Sequence, residues 1–135
     1  MKTSQVLVAA AALGAAIVTA AAAATSAPHL RSASSIRRHV VVVYTLGPDT
    51  LPGRLVVATR AQTEASGKFV QSNIRFSEAL VGTRVAGGAY RMRSRHTLAK
   101  GRYYVEVAGT AIGLDCTPKT PCPLHWSNVR RVVVK

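Results

Sequence analysis

Acidic residues are scarce in this chain of 135 residues, which has 5 Asp and Glu against 18 Lys and Arg and a formal net charge of +13. The five acids are Asp49, Glu64, Glu78, Glu106 and Asp115. Chemistry that depends on paired carboxylates, such as glycoside hydrolysis, needs two acids held close together. Because these five are scattered along the sequence, we predict no catalytic carboxylate pair. The positive excess favours solubility and non-specific attraction to polyanions, whatever the fold.

Cysteine is also scarce, and the only two are Cys116 and Cys122. Two cysteines in a short loop cannot staple a whole domain, so a hydrophobic core must hold the fold. If the chain is exported, one disulfide between them is the simplest expectation. Together with His125 they form the pattern C-x5-C-x2-H, which matches no common zinc spacing and lacks a fourth ligand. We therefore predict no metal site.

Motifs of known catalytic centres are missing. The sequence has no G-x-S-x-G elbow, no catalytic-cysteine pattern and no phosphate-binding glycine loop. Aromatic residues make up 5% of the chain, which is too few for a legible base-stacking platform, so we predict no specific nucleic-acid recognition. No cofactor is predicted. An enzyme would need His96 or His125 beside an acid in a cleft, and this stays open as an alternative.

Long apolar runs are confined to the start of the chain. Lys2 precedes the uncharged residues 6–24, which end in three alanines. This pattern is typical of a secretory signal, here cleaved before Thr25; an uncleaved membrane anchor is the alternative. We predict a signal peptide (1–24), a flexible Ser/Ala/Pro-rich lead (25–35) and one domain (36–135). The protein would be secreted or held at the cell envelope, with no transmembrane segment after cleavage.

Short β-branched runs separated by Gly and Pro turns fill the rest of the sequence, and no segment shows a sustained 3.6-residue period. Strands are expected at 38–45, 54–59, 68–76, 79–85, 90–98, 102–108 and 128–135. This spacing predicts an all-β fold, a single seven-stranded antiparallel β-sandwich after an N-terminal signal helix.

The stretch YRMRSRH places three arginines two residues apart. Successive side chains of a strand point to opposite faces, so Arg91, Arg93 and Arg95 share one face and the residues between them, His96 included, share the other. The arginines should face outward, because acids to pair them are too few. Arg102 would lie beside them if the fifth and sixth strands pair. These four arginines are the candidate binding residues, and a merely solvated strand face is the alternative.

The segment LAKGRYYVEV, followed later by WSNV, resembles the sixth strand and the entry to the last strand of immunoglobulin-like and fibronectin type III domains. The resemblance implies that Tyr103 caps a corner with its hydroxyl and that Trp126 has a structural role. It also implies that Glu106 points outward. The turn reads Lys-Gly-Arg where the fibronectin type usually has Pro-Gly-Thr, and the likeness covers residues 98–135 only.

These observations favour a non-catalytic exported module with a binding or structural role. Its expected partners are anionic envelope polymers, lipid head groups or another protein. One alternative is a small secreted hydrolase that acts on an anionic polymer. Another is a secreted inhibitor or effector that presents the loop between Cys116 and Cys122 to a partner.

Overall fold

The computed structural model describes residues 27–112, 117, 119 and 122–135. The predicted signal and Cys116 lie outside the described residues. The described residues form nine strands: β1 (His29–Ile36), β2 (His39–Thr45), β3 (Thr50–Ala58), β4 (Ile74–Ala79), β5 (Thr83–Val85), β6 (Ala89–Thr97), β7 (Gly101–Ala111), β8 (His125–Trp126) and β9 (Arg130–Val134). Two 3-10 turns, Gln71–Asn73 and Ala86–Gly88, are the helical elements among these residues.

The strands form two antiparallel sheets. The first sheet has the order β1-β2-β6-β5, and the second has the order β4-β3-β7, with β8 and β9 both pairing with β7. The expected all-β class with antiparallel sheets is confirmed. The number of strands differs from the predicted seven: β9 lies within the expected last strand at 128–135, whereas β1 and β8 lie outside all of the expected strands.

One apolar core joins the two sheets. Val40, Val42 and Tyr44 come from β2 in the first sheet, and Val105 and Val107 come from β7 in the second. They alternate with residues of the opposite face, as expected for strands with one face against a core. The fully buried members each remove an apolar side chain from water, at about 1.5–3 kcal/mol apiece.

A second, smaller cluster lies on the outer face of the second sheet. Val56, Ala58 and Phe69 are buried there, and Tyr104 and Trp126 pack against them. Residues 59–73 run over this face, so the expected third strand at 68–76 begins only at Ile74. This cover explains why Glu106, which the resemblance places on an exposed face, is 0% exposed.

Residues 29–36 form β1, whereas the sequence predicts a flexible lead over 25–35. The segment is rich in Ser and Ala, and its own β-propensity is weak. It becomes a strand because it pairs along its length with the valine-rich β2. Leu30 enters the core at 0% exposure.

Candidate functional site

The arginine row of β6 lies on the outside of the first sheet. Arg91, Arg93 and Arg95 are exposed, while Met92 and Ser94 between them are buried. The row is not uniform along the strand. Arg91 lies where β5 pairs with β6, and Arg93 and Arg95 lie beyond the end of β5, at an edge of β6 with no neighbouring strand among the described residues.

Arg102 is not beside this row. It lies on β7, in the second sheet, where it pairs with Val133 of β9. The fifth and sixth strands, on whose pairing that position of Arg102 depended, do not pair, because the turn after β6 takes the chain from one sheet to the other. Leu98 in that turn is buried at 4% exposure and anchors the crossing in the core.

His96 leaves the face on which the sequence places it. The register between β2 and β6 shifts between His39 and Val41, so β6 contains a bulge there. Ser94 fills the bulge: its hydroxyl accepts a hydrogen bond from Val40 N at 2.9 Å and donates one to His96 O at 2.7 Å. A bulge re-aims the side chains that follow it. The His96 ring is exposed and stacks on Phe76 with 4.9 Å between ring centroids.

Glu78 of β4 joins the two sheets at the edge where Arg93 and Arg95 lie. Its carboxylate accepts hydrogen bonds from Arg95 N (2.9 Å to Oε1), His96 N (2.8 Å) and His96 Nδ1 (2.7 Å). Burial alone would raise the pKa of Glu78, but these donors outweigh it and hold the pKa below its usual range. An ionised carboxylate only accepts, so Nδ1 carries the proton and Nε2 is directed away from Glu78.

These residues surround a cleft of about 880 Å³ between β4 and β6. Arg93, Arg95 and His96 line one side and Arg54 of β3 lines another, so the two sheets both contribute cations. The Arg54 Nε donates to the Ser77 hydroxyl at 2.6 Å, which holds its guanidinium at the rim. Ala79, Val81 and Met92 supply apolar surface.

The cleft has an unbalanced positive charge. Among the described residues, the one contact between an acid and a basic side chain is that of Glu78 with His96, which is an ion pair only when His96 is protonated, and Glu78 is the acid in the lining. The side chains of Arg93 and Arg95 have no acid or hydrogen-bond acceptor within the described part of the chain. Three guanidinium groups are therefore available to a ligand with several anionic oxygens.

Two residues expected to have structural roles occupy defined positions. The Tyr103 hydroxyl donates to Ala99 O at 2.9 Å, which is the contact predicted for a corner tyrosine. Trp126 is half-buried on β8 and packs against the cluster around Phe69. Because Cys116 lies outside the described residues, its disulfide with Cys122 stays a prediction, as does any role for that loop.

No three His, Cys, Asp or Glu side chains in the described ranges are grouped so that they could hold a metal ion. Within the same ranges, no helix has the length and apolar character needed to cross a membrane.

Arg54 and Glu78 are the members of the cleft that the sequence does not identify as binding residues. Arg54 lies in a different strand segment, 39 positions before Arg93, and only the packing of the sheets brings them together. The sequence gives one signal for Glu78, which is an isolated acid between two expected strands of a basic chain.

Compared with known proteins, the chain matches no family model, and no curated protein is significantly similar to it.

Proposed function

We propose that this chain is a non-catalytic, exported binding module that holds anionic polymers through the cleft between β4 and β6. The polymer would be one met at the cell envelope or outside the cell. The proposal includes the signal peptide at 1–24, the disulfide between Cys116 and Cys122, and membership of the immunoglobulin-like or fibronectin type III folds. The bond from Tyr103 to Ala99 supports that last part.

The observation that supports binding most strongly is the convergence of Arg54, Arg93 and Arg95 on one cleft without a free acid. A guanidinium presents a planar fork of donors that matches phosphate, sulfate or carboxylate oxygens. Glu78 offsets one of these three positive charges, but its oxygens are bonded to the backbone and ring of β6 and not to the arginine side chains, so the cleft keeps a net positive charge and free guanidinium donors. A strand face that is only solvated would not be expected to bring together arginines from both sheets, because like charges that lie close together repel each other.

Retention of residues 25–135 on immobilised heparin and polyphosphate across a salt series tests the proposal. The cleft variant is Arg54→Gln/Arg93→Gln/Arg95→Gln, and the matched control is Arg60→Gln/Arg75→Gln/Arg84→Gln. All six side chains are exposed, and each variant removes three charges. Because each neutralised contact contributes roughly 0.7–0.9 to the slope of log K against log salt, we expect the cleft variant, which loses three contacts, to lower the magnitude of that slope by about 2 to 3.

The control variant should change the slope little. Equal loss in the two variants would mean that bulk charge alone attracts the polymer. No retention of the wild type at physiological salt would contradict the proposal itself.

Hydrolysis of the bound polymer is a second candidate function, because His96 stands beside a carboxylate in a cleft. Glu78 accepts a hydrogen bond from the protonated Nδ1 and so leaves Nε2 able to take a proton from an attacking water. End-labelled polymers incubated with the wild type and with His96→Gln decide this point. Shortened products that need His96 would support hydrolysis, and unchanged polymers in both samples would exclude it.

A further inference from the structure

The turn between β1 and β2 contains two arginines in an unusual backbone conformation. Arg37 and Arg38 have φ angles of +49° and +68°. The left-handed region disfavours residues with a Cβ, and two-residue hairpin turns that need it at both positions are dominated by Asn-Gly, Asp-Gly and Gly-Gly. Arginine at both positions is therefore unfavourable for the backbone conformation of this turn.

Nothing that the turn does for the fold requires arginine side chains. The hydrogen bond that the turn makes with another segment of the described chain is through its backbone, since Leu98 N donates to Arg38 O at 2.9 Å. Any residue could accept that hydrogen bond. The side chains of Arg37 and Arg38 are exposed and have no hydrogen bond or ion pair within the described part of the chain. A strained conformation without a structural benefit points to a function.

These two arginines line a cavity of about 490 Å³ at the edge formed by β1 and β9. Arg131 and Lys135, which follow along the second sheet, also line it, and Ser34 and Ser35 add hydroxyl groups from β1. No Asp or Glu side chain of the described residues lies in the lining. The cavity is separate from the cleft between β4 and β6, with which it shares no lining residue.

We infer that the cavity is a second anion site, which binds the phosphate groups of a ligand that has more than one phosphate. Three guanidinium groups offer forked donors to phosphate oxygens, and the serine hydroxyls can donate to a remaining oxygen. The volume exceeds what a single phosphate fills, so a diphosphate or a phosphorylated head group fits the site better. The inference does not depend on the proposed function of the other cleft.

The test replaces Arg37 and Arg38 by the residues that the turn prefers. We expect Arg37→Asn/Arg38→Gly to raise the thermal midpoint by several degrees, because it relieves the left-handed strain. The same variant should weaken the binding of inorganic pyrophosphate, measured by calorimetry at low salt, by at least tenfold. Arg60→Asn/Arg75→Asn removes the same charge elsewhere and should change the affinity less than threefold. A variant that binds pyrophosphate as the wild type does would overturn the inference.

Two further variants locate the bound pyrophosphate. Arg131→Gln does not touch the turn, so a loss of binding in it assigns the effect to the cavity; unchanged binding would contradict the site. The cleft variant Arg54→Gln/Arg93→Gln/Arg95→Gln should keep its pyrophosphate affinity, and loss there instead would move the site to the cleft between β4 and β6. Vesicles that contain phosphatidylinositol 4-phosphate, compared with pyrophosphate, distinguish a lipid head group from a free phosphate compound.

Discussion

Two glutamates of the second sheet are almost inaccessible to solvent, and their environments shift their pKa values in opposite directions. Glu78 at the edge cleft is 7% exposed, and Glu106 beneath the outer-face cover is 0% exposed. The pKa of Glu78 lies below its ordinary value of 4.5. The pKa of Glu106 is raised to about 7.

The difference comes from hydrogen-bond donors. Glu78 receives two backbone N–H groups and an imidazole N–H on its two oxygens. Burial raises the pKa of Glu106, and the Phe69 N–H at 2.8 Å and the positive charge of Lys68 oppose this shift only in part. Its second oxygen, Oε2, has no partner in the described structure. Burial therefore does not by itself decide the charge of a carboxylate here.

The charge of each glutamate affects the surface that the residue supports. Glu78 stays ionised, so it fixes the β6 edge and orients His96 at neutral pH. Glu106 holds the cover at residues 59–73 through Phe69 N, and ionising it in that apolar cluster is unfavourable. As pH rises, the structure around the cleft between β4 and β6 should therefore stay stable, whereas the cover at residues 59–73 should become less stable.

The largest expected effect concerns Glu106. A raised folded-state pKa means that its contribution to stability is fully present below about pH 4.5 and is lost as pH rises through about 7. We expect this group to lower the free energy of unfolding by about 3 kcal/mol between those limits. Urea unfolding of the wild type and of Glu106→Gln at a series of pH values measures it. The variant should lose this pH-dependent fall, and an unchanged slope would show that Glu106 does not titrate in this range.

A smaller effect is expected for Glu78, whose contribution to the free energy of unfolding changes with pH in the opposite direction. Glu78→Gln places an amide donor against three N–H donors, which should cost about 2 kcal/mol at pH 7. Because the pKa of Glu78 is lowered, its contribution is full above about pH 4.5 and is lost as pH falls below that value. The difference between wild type and variant should therefore shrink in acid. Glu64→Gln, which changes an exposed glutamate, is the control, and an equal effect in the two variants would contradict this account.

Local pattern was sufficient for features that depend on neighbouring residues. Alternation placed Arg91, Arg93 and Arg95 on one exposed face. The hydroxyl contact of Tyr103 was expected from the resemblance of its segment to immunoglobulin-like and fibronectin type III domains, not from local pattern alone. The all-β class follows from β-branched runs without a helical period.

Features that depend on contacts between distant segments could not be predicted from the local sequence pattern. β1 exists because β2 offers a partner, and Glu106 is buried because residues 59–73 fold over it. His96 joins the cleft because of a bulge whose register is set by pairing with β2. Arg54 and Glu78 meet Arg93 only where the edges of two sheets come together.

Nuclear magnetic resonance of the arginine side chains tests directly whether the cleft between β4 and β6 binds an anionic ligand. The Nε–H signals of the folded domain would be followed as a short sulfated oligosaccharide is added. We expect the signals of Arg54, Arg93 and Arg95 to shift together and saturate, while those of Arg91 and Arg60, which are exposed but outside the cleft, shift little. Shifts spread evenly over Arg91, Arg60 and the cleft arginines would contradict a site between β4 and β6 and leave only bulk charge.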